Sequence, residues 1–189
     1  MKESSGIGSK LEIGMKMGNS LEERSGLVGE VTLECFDSEG NSRWTHKTKN
    51  LITTVGDNYY AAMAIVGVSP STPSAPTLVS CMKLGSVASP ATDAKTGTGA
   101  GIETYVSGSN NAFDTSFPSV SGNVITYTTT WGAGDATNST LSNVAICFTN
   151  ADSTSAAADC IARAEISPTR NKQAGDTLVA TWTHTFLGA

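Results

Sequence analysis

Ile161–Phe186 reads IARAEISPTRNKQAGDTLVATWTHTF, and its phasing decides the fold. In its second half, Leu178, Ala180, Trp182, His184 and Phe186 fall on one side of an extended chain and threonines fall on the other. Successive side chains of a strand point to opposite faces, so this period of two marks a strand with one buried face. In its first half, Cys160, Ala162, Ala164 and Ile166 alternate with Ile161, Arg163 and Glu165. An Asn/Gly/Asp turn separates the halves, so the stretch reads as strand, turn, strand.

The same grammar recurs upstream. In Val124–Thr137 (VITYTTTWGAGDAT), Ile125, Tyr127, Thr129 and Trp131 alternate against Thr126, Thr128 and Thr130. Leu141–Thr149 (LSNVAICFT) is more continuously apolar, as a central strand is. In Val31–Asn50, Val31, Leu33 and Cys35 share a face opposite Glu30, Thr32 and Glu34. The turn Asp37–Asn41 and a second strand from Ser42 to about Thr48 complete a hairpin. Thr53–Val66 is the one convincing helix. Thr53 or Thr54 caps it, and Tyr60, Met63, Ala64 and Val66 follow helical spacing. Shorter strands are expected at Leu78–Gly85 and Ile102–Val106. Loops are expected at Ser69–Pro76, Ala88–Gly101 and Ser107–Pro118. The expected architecture is mainly β: an antiparallel β-sandwich or barrel-like sheet with one short helix, over residues 26–189.

Residues 1–25 form a separate, Gly/Ser-rich segment. Within it Leu11, Ile13, Met15 and Met17 alternate with Glu12, Gly14 and Lys16. Such a segment has too little apolar surface for a core of its own. It is expected to be an extended N-terminal arm that binds a partner, with those four apolar side chains as the contacts. Phe113 and Phe117, two aromatics in a polar loop, are a second set of candidate contacts. They either pin the loop or touch a neighbour.

Charge and composition narrow the function classes. Only 15% of the residues are charged and the net charge is -5. Lysines and arginines form no basic face, so nucleic acid is not an expected partner. No apolar run is long enough for a membrane span or a secretory leader, so synthesis in a cytoplasm is expected. Cys35, Cys81, Cys147 and Cys160 are widely spaced and read as reduced, partly buried thiols, not a zinc site or disulfide framework.

Catalytic patterns are weak throughout. His46 and His184 are the two histidines. His184 reads as a core-edge residue with one hydrogen bond, and His46 as exposed. No GxSxG occurs, and no carboxylate pair stands out. Gly97, Gly99 and Gly101 lack the lysine of a phosphate loop. Asp37, Glu39 and Asn41 lack the later acid of a calcium loop. The expectation is a non-enzymatic protein without cofactor or metal. A carbohydrate-binding sandwich using Trp44, Trp131 and Trp182 is the competitor from another class. It is disfavoured because Trp131 and Trp182 fall on apolar strand phases.

Ordered motifs carry a resemblance. Val31–Trp44 (VTLECFDSEGNSRW), then Lys49-Asn50-Leu51-Ile52 and a short helix, resembles the opening of small virion structural proteins of tailed bacteriophages. Met82–Gly85, Thr130–Thr137, Val144–Ile146, Ala162–Pro168 and Gly175–Thr183 are similar to their later strands. The match spans about Gly26 to Phe186 and leaves out the arm. The resemblance implies a multicopy virion component, with the major capsid protein or copies of itself as partners. Capsid decoration or cement is the first expectation. A tail, collar-adaptor or fibre protein, with tail or neck partners, is the alternative.

Overall fold

A computed structural model describes residues 26–65, 77–148 and 156–187. The expected arm, with Leu11, Ile13, Met15 and Met17, lies outside the described residues, as do Val66 and the whole Ser69–Pro76 loop. The strands are β1 (Gly26–Phe36), β2 (Ser42–Ile52), β3 (Cys81–Ser86), β4 (Asn111–Ala112), β5 (Ser119–Ser121), β6 (Val124–Trp131), β7 (Asn138–Cys147), β8 (Cys160–Lys172) and β9 (Thr177–Leu187). Helix α1 (Thr54–Ile65) follows β2.

All described pairings are antiparallel and form one sheet in the order β4-β3-β7-β8-β2-β1-β9-β6-β5. The sheet curls into a half-barrel, so the barrel-like alternative describes it better than two stacked sheets. The halves join where β2 ends: Leu51 pairs with Arg163 and Ile52 with Ala162. The far side of the curl is stapled by side chains. Asn111 Nδ2 donates to Thr130 O at 2.6 Å, and the Asp114 carboxylate accepts from the Thr130 N–H and hydroxyl at 3.0 and 2.8 Å. Strand β5 lies beyond this staple as an edge among the described strands.

The concave face holds the core. Val31, Leu33, Cys35, Tyr127, Trp131, Leu178, Ala180 and Trp182 pack there in the phase read from the sequence. A buried ring removes roughly 200 Å² from water, worth about 5 kcal/mol at 25 cal/mol per Å² before entropy is charged. Thr53 caps α1: its hydroxyl accepts from the Gly56 N–H at 3.0 Å and donates to Cys160 O at 2.7 Å. The inward side of the helix is Gly56 and Tyr59, whereas Met63 and Ala64 are exposed. At Gly56 a Cβ would sit 2.1 Å from Ile161 O, so the missing side chain lets the helix lie against β8.

Several expectations need correction. Strand β2 runs four residues past Thr48, because its end must reach β8. Ile102–Val106 is not a strand; only Tyr105 bridges to Gly85. Its apolar residues serve another purpose, since Ile102 and Tyr105 cover Cys81, Ala145, Cys147 and Cys160 on the convex face. That cover buries β3, β7 and much of β8 on both sides. Arg163, on the phase of β8 opposite Ala162 and Ala164, is fully buried beneath it. Its Nε donates to Gly101 O at 2.9 Å, its Nη1 to Ala91 O at 3.0 Å, and the guanidinium pairs with Asp93 and Glu103. Arg163 thus clasps the Ala88–Gly101 loop, which is also held by the Thr54 N–H bond to Lys95 O, the Lys95–Asp57 ion pair and the Glu165 N–H bond to Asp93.

Candidate functional site

The open end of the curl is an apolar groove of about 380 Å³. Helix α1 supplies Tyr59, Tyr60, Met63 and Ala64; β6 supplies Ile125 and Tyr127; β9 supplies Phe186. Leu78, Pro118 and Val120 complete the rim. Five large apolar residues are exposed among the described residues, and four of them line this groove: Val120 (71%), Leu78 (62%), Met63 (38%) and Phe186 (38%). Scattered exposed apolar side chains are ordinary, but four on one concave rim form a patch suited to a partner.

The floor of the groove is a hydrogen-bonded chain. Tyr127 and Tyr60 share a hydroxyl contact at 2.9 Å, and the Tyr60 hydroxyl lies 2.6 Å from His184 Nδ1. His184 Nε2 lies 3.4 Å from the Asn50 amide. Amide nitrogen and oxygen are assigned by the bonds they make. Asn50 Oδ1 is buried without a partner as placed. Turning the amide over brings that oxygen to His184 Nε2–H. One polarity then satisfies the chain: Tyr127 donates to Tyr60, Tyr60 to Nδ1, and Nε2 to Asn50. Gly29, opposite Asn50 in the β1–β2 register, makes the room: a Cβ there would sit 1.8 Å from Asn50 Oδ1.

Burial keeps this chain uncharged. It pushes His184 down to about 3 and Tyr127 up to about 12. Tyr60 is raised by burial first and by neighbouring Tyr127 second. At neutral pH the floor is therefore an imidazole and two phenols, all neutral. Such a floor has no anion to hold a metal and no charge to attract an ionic ligand; it favours an apolar occupant. A wider cleft of about 490 Å³ lies under the clasped loop, but its carboxylate, Glu103, already accepts from the Ala91 N–H and pairs with Arg163.

A second buried polar cluster is structural. Asp176 accepts from the Arg43 guanidinium at 2.9 Å and from the Gln173 N–H at 2.8 Å, closing the β8–β9 turn onto β2. Burial pulls this carboxyl upward, and the Gln173 and Arg43 bonds outweigh it, leaving it below the ordinary range. The Cys35 thiol donates to the same carboxylate at 3.7 Å and is pushed up to about 11, chiefly by burial.

The remaining sequence candidates find plain positions. Phe113 is half-buried against the core, its ring 5.2 Å from Tyr127, so it pins its loop. Phe117 is half-buried beside the groove residue Pro118. His184 is fully buried with contacts at both nitrogens, not a core-edge residue with one bond. His46 is half-buried, not exposed. Trp131 and Trp182 are fully buried and cannot stack on a sugar; Trp44 donates to Asn171 O at 2.7 Å and carries Arg170 over its ring. All four cysteines are buried. Among the described residues no cluster of three or more His, Cys, Asp or Glu side chains is suited to a metal ion, and no helix is long and apolar enough to cross a membrane.

The groove itself was missed in the sequence. Its residues come from four separate stretches, and Leu78 and Val120 were not read as a surface. The available signal was α1, whose apolar residues run round more than one face. No protein-family model, curated protein or solved structure matches the chain.

Proposed function

We propose that the chain is a virion structural subunit, and foremost a capsid decoration or cement protein that docks on the lattice of the major capsid protein. The observation that carries the reading is the apolar groove at the point where the N-terminal segment joins the sheet. Gly26 pairs with Leu187, and Leu27 with the groove residue Phe186. The curled sheet, the apolar rim and the point where the N-terminal segment attaches thus meet at one end of the molecule. That is the layout of a docking body, and repetition around a symmetry axis adds avidity to modest single contacts. The ordered phage-like motifs supply the class of assembly.

The test is a copy count by quantitative mass spectrometry on particles of the phage that encodes the chain. On the order of hundreds of copies supports the lattice position. About six, twelve or eighteen copies, as closed tail rings have, transfers the protein to the neck or tail. Absence from purified particles overturns the virion reading.

A further inference from the structure

We infer that in the free subunit the groove is occupied by the chain's own segment Leu11–Met17. The inference concerns the isolated protein and does not depend on the virion reading.

Three observations converge. The first is chemical. The groove is lined by aromatic and aliphatic groups over a neutral floor, and Leu11, Ile13, Met15 and Met17 are apolar residues at alternate positions of one segment. An occupant bearing alternate apolar side chains fills such a groove while its backbone pairs with a sheet edge. The second is the edge itself. Ser119–Ser121 pairs only with β6 among the described strands, and Val120 points into the groove from it. Among the described residues no strand takes up its outer backbone groups, and such an edge accepts a further strand.

The third is reach. The segment is tethered at Gly26, whose β1 neighbour Leu27 lies opposite Phe186 on the groove rim. Eight residues, Gly18–Ser25, separate Met17 from that anchor. Fully extended, eight residues reach at most about 28 Å. Strands lie about 4.8 Å apart, so three strand spacings, from β1 through β9 and β6 to β5, come to about 14 Å. A short tether that covers the distance makes the contact intramolecular, at an effective concentration on the order of millimolar. A second copy at micromolar concentration then loses to the chain's own arm.

The experiment uses the full-length chain carrying Met15→Cys and Val120→Cys, treated with a short bismaleimide; the four native thiols are buried. The control is Met15→Cys with Lys49→Cys. Lys49 is exposed on β2, the strand beside β1, and so lies nearer the tether than Val120 does. A loose arm would reach Lys49→Cys at least as often. The expected result is an intrachain adduct at position 120 formed about tenfold faster than at position 49, unchanged on dilution. Equal rates at the two positions, or an adduct mainly between chains, overturns the inference. A second readout needs no cross-link. Full-length Ile13→Asp/Met15→Asp should bind anilinonaphthalene sulfonate with severalfold higher fluorescence than the parent chain, because its groove stands open. Unchanged dye fluorescence also overturns it.

Discussion

At the scale of single residues, His184 is the most informative. It is fully buried between Trp182 and Phe186 in sequence, and its two nitrogens face Tyr60 and Asn50. The folded chain takes up a proton there only near pH 3, whereas the unfolded chain does so near 6.5. Between those values the unfolded state binds more protons, so stability falls as pH is lowered through the window. The expected slope from this group is about 1.4 kcal/mol per pH unit. His46, also depressed by burial, acts with the same sign. Urea midpoints at pH 7, 6 and 5 should therefore fall steeply for the parent chain and distinctly less for His184→Gln; parallel curves would remove His184 from the account. Trp182→Ala should cost roughly 3–5 kcal/mol, as large-to-small core changes do. An unchanged unfolding midpoint would contradict its burial. The inward phase of both residues was legible in the alternation of Thr177–Leu187. The partners of His184 were not, because they come from β2, α1 and β6, which no local pattern brings together.

At the scale of elements, period-two alternation located the long strands, and the Thr53 cap fixed the helix start. What failed was the assumption that a strand has one wet face. Arg163 sits in the outward phase of β8, yet the loop over the convex face buries it. A charged residue in that phase looks the same in sequence whether water or a loop covers it. Strands β4 and β5 span two and three residues, too short for any period to register. The clasp makes its own prediction. Arg163→Leu leaves Asp93 and Glu103 without their shared cation, and breaking a buried pair in this way costs about 3–5 kcal/mol. The loop should also come free, so trypsin should cut after Lys95 in the variant well before it cuts the parent chain. Resistance at Lys95 would mean that the Lys95–Asp57 ion pair and the Thr54 N–H bond to Lys95 O hold the loop without the clasp.

At the scale of the whole molecule, the chain builds two β regions and joins them sparingly. Strands β2, β1, β9, β6 and β5 form one, and β4, β3, β7 and β8 the other, with the backbone seam at Leu51 and Ile52. Whether strands close as a sandwich or a curl was not legible in the sequence, because that depends on which distant strands pair. The staple opposite the seam rests on Asp114 and Asn111. Asp114→Ala should leave the ladders intact but speed amide exchange at Thr130, whose N–H donates to that carboxylate; an unchanged rate would show that the curl closes without it.

The cysteines lie on both sides of that seam. Cys81, Cys147 and Cys160 stand in register across β3, β7 and β8, with the last two sulfurs 3.4 Å apart, while Cys35 belongs to β1. Buried thiols are inert until the chain around them opens. The molecule thus carries its own timepiece. Under a pulse of alkylating reagent, the order in which position 35 and the trio are marked tells which half comes apart first, and simultaneous marking shows that the slender joint is enough to make two halves unfold as one.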